Sequence, residues 1–151
     1  ALLAALQAKH LAIATAESCT GGLIAAALTA IAGSSASVLA GFVTYSNEAK
    51  TSMLGVPAEM IERHGAVSEE VARQMVEGAL RASGAHMALA CTGVAGPGAG
   101  SMLKPVGLVW VVAGRRGGAT ITQHRIFPGD RAAIRAATVR HSFVMAHSLL
   151  A

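Results

Sequence analysis

Two short segments of the chain carry residue types that could cleave an amide bond. In residues 14–22, an apolar run ends in a polar cluster that contains Ser18, and a second apolar run follows at residues 23–28. This pattern predicts a strand that leads into a helix, whose first N–H groups have no partners within the helix. Such groups can stabilise the oxyanion that forms when Ser18 attacks a carbonyl carbon. The candidate donors are the N–H groups of Thr20, Gly21 and Gly22.

The second segment, residues 45–50, supplies the base that such a nucleophile needs. Lys50 is predicted near the start of another helix, where a positive charge is disfavoured by about 0.3–1 kcal/mol. Burial would lower its pKa further, because desolvation penalises the charged form, and a neutral lysine can accept the proton of Ser18. Tyr45 is the only tyrosine, ends the preceding strand and could donate a hydrogen bond at the same site. Together these residues predict Ser/Lys hydrolytic chemistry.

Each of these residues also has a purely structural interpretation, and the sequence leaves both open. Ser18 could simply cap the helix. Lys50 could be a solvated surface residue, and Tyr45 could lie at a rim with its hydroxyl satisfied. Cys19 is either a small buried residue or a rival nucleophile, although no motif places a histidine beside it. Glu17 could orient Lys50, but neighbouring residues of a strand face opposite sides.

A glycine-rich loop and two arginines are candidates for binding an anionic part of a ligand. Residues 92–101 follow a predicted buried strand, and glycines there would let backbone N–H groups approach an anion. The loop lacks the lysine of a P-loop and leads into a strand, which excludes the dinucleotide-binding fingerprint; a flexible turn is the alternative. Arg131 and Arg135 share a helix face and could bind a phosphate. The candidate ligand-binding residues are Arg131, Gly93, Gly96, Gly98 and Gly100.

The sequence predicts neither a metal centre nor a cofactor. Asp130 is the single aspartate, so no carboxylate cage for magnesium is apparent. The six histidines are scattered along the chain. His141 and His147 are six residues apart, which places them roughly 120° apart around a helix, so they do not form a ready ligand pair.

Composition narrows the class of protein. The net charge of +4 comes from scattered cations, and aromatic residues make up 3% of the chain, which argues against nucleic-acid binding and allows a small anionic ligand. Only 13% of residues are charged, and a surface so poor in charge predicts a homo-oligomer. Two cysteines provide no disulfide framework and suit a reducing cytoplasm. Neither a membrane span nor a signal peptide is apparent.

The order of apolar patterns predicts a single α/β domain over residues 1–151. Helices are predicted at 1–9, 20–31, 47–54, 57–63, 68–82 and 130–150. Strands are predicted at 11–16, 38–45, 86–91, 106–113 and 119–127. The last two strands flank a glycine-rich turn at 114–118, and this arrangement predicts one antiparallel hairpin.

Several of these segments together resemble one known family. They are residues 16–22, 33–35, 45–50, 54–56, 64–69, 92–97, 104–107 and 128–131. In this order they are similar to the CinA C-terminal domain family, the bacterial nicotinamide-nucleotide amidohydrolases, and the resemblance covers essentially the whole chain. The segments around Ser18 and Lys50 are the most specific part of it.

The resemblance implies a fold, a reaction and a set of site residues. The fold is a three-layer α/β/α domain with a mixed, mostly parallel sheet of about five strands, including the hairpin. The reaction is hydrolysis of nicotinamide mononucleotide to nicotinate mononucleotide and ammonia, without metal. Ser18 is the implied nucleophile, Lys50 its base, Tyr45 an assisting hydroxyl, and Arg131 a contributor to the site. The alternative is a non-catalytic domain that binds a pyridine nucleotide or a partner in competence or DNA damage.

Overall fold

The computed structural model describes all 151 residues and contains five strands and six helices. The strands are β1 (Ile13–Glu17), β2 (Val38–Val43), β3 (Met87–Gly93), β4 (Leu108–Arg115) and β5 (Thr120–Ile126). The helices are α1 (Leu2–Ala8), α2 (Leu23–Thr29), α3 (Asn47–Leu54), α4 (Ala58–His64), α5 (Glu69–Ser83) and α6 (Arg131–Ser148). Every predicted helix and strand is present, with ends that differ by a few residues. None of the helices combines the length and the apolar character that a membrane span requires.

The strands form one mixed sheet in the order β2-β1-β3-β4-β5. β1 pairs in parallel with both β2 and β3, whereas β4 is antiparallel to β3 and to β5. Four strands therefore share one direction and β4 alone opposes them, although the four pairings divide equally between the two types. The mixed sheet and the β4–β5 hairpin are confirmed. The carboxyl ends of β1, β2 and β3 meet at one edge, and the loops that follow them lie close together.

Helices cover both faces of the sheet and give the expected three layers. Successive side chains of a strand point to opposite faces, so Met87 and Leu89 of β3 pack with α1, α2 and α6, while Ala88 and Ala90 pack with α5. Gly78 of α5 lies against the end of α3, where a Cβ would overlap the carbonyl oxygen of Leu54. This close approach fixes α3 over the sheet edge at which β1 ends.

The predicted helix at 20–31 begins later than expected. α2 starts at Leu23, and residues 20–22 form a turn in which Gly21 and Gly22 have positive φ angles of 57° and 106°. Non-glycine residues rarely adopt this conformation, so the glycines allow the chain to turn between β1 and α2. The expectation that Thr20 opens the helix was therefore wrong.

Candidate active site

Ser18 lies immediately after β1, at the edge where the parallel strands end, and is 8% exposed. The preceding residue, Glu17, is fully buried and binds the beginning of α2. Its carboxylate accepts hydrogen bonds from the N–H groups of Ile24 (2.8 Å) and Ala25 (3.0 Å) and from the Thr20 hydroxyl (2.5 Å). A carboxylate at this end of a helix also complements the helix dipole. Glu17 thus caps α2, and the expectation that it orients Lys50 was wrong.

Lys50 reaches Ser18 from α3, on the other side of the sheet edge. Ser46 caps this helix by accepting a hydrogen bond from the Ala49 N–H at 3.0 Å. The Lys50 Nζ lies 3.0 Å from Ser18 Oγ and is 2.9 Å from the carbonyl oxygen of Thr44 and 3.2 Å from that of Tyr45. Residues that are 32 positions apart in sequence are therefore in direct contact.

The environment of Lys50 favours the neutral amine. The residue is 1% exposed, and burial lowers the pKa of its amine below the ordinary value. The protein's two salt bridges, His64–Glu70 and Arg73–Glu69, do not include it. Without a carboxylate partner to hold the charge, the lysine can lose its proton more easily than a surface lysine.

Cys19 is poorly suited to act as a rival nucleophile. The residue is 5% exposed, and a hydrogen bond with Cys91 together with burial raises the pKa of its thiol well above the ordinary value. Since the thiolate is the reactive form of cysteine, this environment disfavours reaction at Cys19. Ser18 is the better placed of the two adjacent residues because it contacts the lysine.

The N–H groups after Ser18 divide into engaged and free donors. The Gly21 N–H donates to the carbonyl of Ser18 at 3.1 Å, and the first N–H groups of α2 are taken by Thr20 and Glu17. The N–H groups without a protein acceptor are those of Cys19, Thr20 and Gly22. Gly21 is thus already committed within the turn, whereas Thr20 and Gly22 retain free donors.

Arg131 and Tyr45 lie together at the mouth of the site. The Arg131 guanidinium donates to the hydroxyl of Tyr45 at 3.0 Å and to the carbonyl of Gly96 at 2.9 Å. These contacts connect the end of β2, the glycine-rich loop and the start of α6. Asp130 caps α6 by accepting a hydrogen bond from the Ala133 N–H at 2.9 Å, which fixes the position of Arg131 at the first turn.

Arg135 points elsewhere, although it shares a helix face with Arg131. Its guanidinium donates to the carbonyl oxygens of Cys19 (3.1 Å) and Thr20 (3.0 Å), in the turn that follows Ser18. Both arginines also line a cavity of about 640 Å³ at the start of α6, so their pairing on one ligand stays a prediction. The contact of Arg135 with the turn spans more than one hundred residues and has no local signal in the sequence.

Most of the candidate residues surround a second cavity, of about 280 Å³, but the predicted oxyanion donors Thr20, Gly21 and Gly22 do not line it. Its lining includes Ser18, Cys19, Tyr45, Asn47, Lys50, Ala66, Val67, Thr92, Gly93, Val94, Ala95, Gly96, Gly98, Ala99 and Arg131. Gly100 lies outside this lining and packs against Val106, and the side of Gly93 that lacks a Cβ faces Val109. Asn47 and Thr92 were not predicted as site residues; their places in the segments at 45–50 and 92–97 were the available signal. No three His, Cys, Asp or Glu side chains are arranged to hold a metal ion.

Known proteins resemble this chain along most of its length. The family model described as CinA C-terminal domain matches residues 1–150. A CinA-like protein of Mycolicibacterium vanbaalenii is 58% identical over 123 residues, which cover 82% of this chain but 29% of that protein. The nicotinamide-nucleotide amidohydrolase PncC of Escherichia coli is 52% identical over 131 residues, covering 87% of this chain and 79% of that protein. The chain thus spans about a third of the length of the CinA-like relatives and most of the length of PncC.

A solved structure gives the same result for the fold. The competence/damage inducible protein CihA from Agrobacterium tumefaciens has a TM-score of 0.95 and 50% sequence identity, and the alignment covers 98% of this chain and 90% of that one. The resemblance read from the sequence segments is therefore confirmed along nearly the whole chain. The chain belongs to the CinA C-terminal domain family.

Proposed function

We propose that this protein hydrolyses the carboxamide of nicotinamide mononucleotide to give nicotinate mononucleotide and ammonia, with no metal ion. The observation that carries the proposal is the 3.0 Å contact between Ser18 Oγ and the buried Nζ of Lys50. Relatives named nicotinamide-nucleotide amidohydrolase, at 52% identity, support the substrate class. A domain that only bound a nucleotide would have no need for a desolvated lysine against a serine hydroxyl.

The three contacts of Lys50 suit a base that takes and returns a proton. A neutral amine has two N–H donors and one lone pair, which match the carbonyls of Thr44 and Tyr45 and the hydroxyl of Ser18. After proton transfer the third N–H occupies the position of the lone pair. The lysine can therefore act as base and then as acid without moving to new partners.

The reaction then proceeds by acyl transfer. Lys50 removes the Ser18 proton while Oγ attacks the carboxamide carbon, and the carbonyl electron pair moves to oxygen. Free N–H groups of the turn stabilise this oxyanion: that of Cys19, which lines the cavity, and those of Thr20 and Gly22 behind it. The C–N bond breaks as the Lys50 ammonium protonates the leaving nitrogen, and ammonia departs. A water molecule, deprotonated by Lys50, attacks the ester; Ser18 recovers its proton and nicotinate mononucleotide is released.

The phosphate of the substrate is assigned to the mouth of the cavity. Arg131 uses two of its five N–H donors on Tyr45 and Gly96, which leaves three for an anion. Backbone N–H groups of the loop that contains Gly93, Gly96 and Gly98 are further candidates. Tyr45 assists by holding Arg131 and by offering its hydroxyl near the entrance.

The test is direct. Purified protein is incubated with nicotinamide mononucleotide, and ammonia and nicotinate mononucleotide are measured together, with Ser18→Ala as the matched control. We expect equal amounts of the two products from the wild type and almost none from the variant. If the wild type binds the nucleotide without releasing ammonia, the hydrolytic function is wrong and the domain is a binding module.

We also propose that the protein forms a homo-oligomer. Large apolar side chains are exposed on α2 and on β2, which is an edge strand of the sheet. They are Leu23 (38% exposed), Leu39 (52%) and Val43 (45%). Covering such a surface would stabilise an assembly. Light scattering should give a mass above the 15.2 kDa of one chain, and a monomeric mass at micromolar concentration would contradict the proposal.

A further inference from the structure

Arg135 holds the turn that follows the candidate nucleophile. Its Nε and Nη2 donate to the carbonyl oxygens of Cys19 and Thr20, which are the first two residues after Ser18. A planar guanidinium presents donors in a fixed fork, so these two contacts define the orientation of both carbonyls. The residue lies in the second turn of α6, beyond the mouth residue Arg131.

The position of these carbonyls determines where the adjacent N–H groups point. In a trans peptide the C=O and the following N–H lie in one plane and point in opposite directions. When Arg135 holds the Cys19 carbonyl, the Thr20 N–H must point away from Arg135. This N–H has no protein acceptor. Thr20 is fully buried, however, and does not line the cavity. The second contact orients the next peptide, whose Gly21 N–H donates to the Ser18 carbonyl and so turns the Cys19 N–H the opposite way. The Cys19 N–H has no protein acceptor, and Cys19 lines the cavity.

Two opposite charges hold this turn from its two sides. Glu17 binds the Thr20 hydroxyl and the N–H groups that begin α2, while Arg135 binds the carbonyls. A cation on a carbonyl also polarises the peptide and strengthens its N–H as a donor. We propose that Arg135 is a positioning residue for the hydrolysis. Through the hydrogen bond from the Gly21 N–H to the Ser18 carbonyl, it keeps the free N–H of Cys19, which lines the cavity, oriented for the developing oxyanion. This inference rests on the proposed amidohydrolase function.

The experiment compares Arg135→Ala with Arg140→Ala, which removes an exposed arginine from the same helix. Loss of an oriented oxyanion donor costs about 10²–10³-fold in kcat, so we expect a loss of about 10²-fold for Arg135→Ala. KM should stay within a few-fold, since the substrate carbonyl in the ground state uses this donor weakly. The pH midpoint of kcat/KM should not move, because Lys50 keeps its surroundings. Arg140→Ala should match the wild type.

Two further measurements separate positioning from general stability. Millimolar guanidinium chloride should restore part of the kcat of Arg135→Ala and leave that of Arg140→Ala unchanged. Arg135→Lys keeps the charge but lacks the fork, so its kcat should fall between those of the wild type and the alanine variant. If Arg135→Ala does not fold, the kcat of Arg135→Lys tests the proposal in its place.

The outcomes are distinguishable. If the wild type releases no ammonia, the proposed function fails and this inference fails with it. If the wild type is active and Arg135→Ala has the kcat of Arg140→Ala, only the inference is overturned. A raised KM with an unchanged kcat would also overturn it, because that result would assign Arg135 to substrate binding.

Discussion

The two ends of the candidate site are built differently. At the inner end, Ser18 and Lys50 are buried, and every polar atom of the pair has a partner at 2.9–3.2 Å. At the outer end, Tyr45 is 60% exposed, and its hydroxyl accepts a solvent-exposed hydrogen bond from Arg131. The loop beside it carries Met102, whose side chain has no cover at all. The inner end is held by the core, whereas the outer end depends on a few exposed contacts.

In the proposed function, this difference separates the chemistry from the recognition of substrate. Groups that transfer protons must be positioned closely and protected from water, because desolvation changes their pKa and misplacement slows the reaction. Groups that hold a phosphate can stay near solvent, since a charge-assisted contact still contributes there. Substitutions at the inner end should therefore abolish turnover, and those at the outer end should weaken it in a way that depends on the substrate.

The largest effect is expected from removal of the nucleophile. Ser18→Ala should lower kcat at least about 10³-fold with nucleotide binding nearly unchanged, because a nucleophile and its base act as a unit. Cys19→Ala should retain most activity and serves as the neighbouring control. Steady-state ammonia release and equilibrium binding of nicotinamide mononucleotide measure the two quantities. An inactive Cys19→Ala beside an active Ser18→Ala would make the thiol the nucleophile.

Lys50→Arg tests the role of the base while it keeps the positive charge at this position. A guanidinium does not lose its proton in a protein, so Lys50→Arg should be as inactive as Lys50→Ala. In the wild type, kcat/KM should rise with pH as the amine loses its proton and then level off. Because burial lowers the pKa of Lys50, this rise should lie below its ordinary value of 10.5. An active Lys50→Arg enzyme would exclude general-base catalysis by this residue.

The outer end is tested with two enzymes and two substrates. Loss of a charge-assisted contact of about 1.5–3 kcal/mol corresponds to roughly 10- to 150-fold in kcat/KM. Arg131→Ala should lose this much on nicotinamide mononucleotide, partly in kcat, because remote binding energy orients the reacting amide. On the riboside, which lacks the phosphate that Arg131 is proposed to hold, kcat/KM should barely change. Equal losses on both substrates would show that the phosphate is held elsewhere.

The smallest effect concerns stability. The lowered pKa of Lys50 means that, between this pKa and 10.5, the unfolded chain binds more protons than the folded one. Stability should therefore rise with pH across that window and level above it. Lys50→Met lacks this contribution, so the unfolding free energy of the wild type relative to the variant should increase with pH. Urea titrations at several pH values measure it, and parallel pH curves would count against a buried, depressed lysine.

The sequence was sufficient to predict the residues of the inner end but not what surrounds them. Ser18 and Lys50 each lie at a junction between a strand and a helix, and parallel strands bring such junctions to one edge of a sheet. Glu17 was misjudged because its carboxylate reaches forward past the turn to cap α2. The same capping explains why the helix starts at Leu23. The turn can contain two glycines because Glu17, which lies before the turn, accepts hydrogen bonds from the first N–H groups of α2.

Local sequence patterns could not predict the contacts between segments that are distant along the chain. Arg131 and Arg135 looked equivalent from their spacing, yet one reaches the loop of Gly96 and the other reaches the turn after Ser18. Spacing along a helix determines which residues share a face, but what that face contacts depends on how the layers pack. The role of Gly78 is of the same kind, since only the assembled fold shows that α5 and α3 touch there.

The division of the core into two layers has a consequence for how this protein loses activity. Ser18 precedes α2, whose Ile24 and Leu28 belong to the apolar cluster on one face of the sheet, while Lys50 is on α3, whose Leu54 belongs to the cluster on the other face. The 3.0 Å contact therefore spans two separately packed halves. A partly folded state with intact helices but loosened packing would lose it, since small displacements of either layer separate the two groups. Turnover thus reports the docking of both layers on the sheet at once.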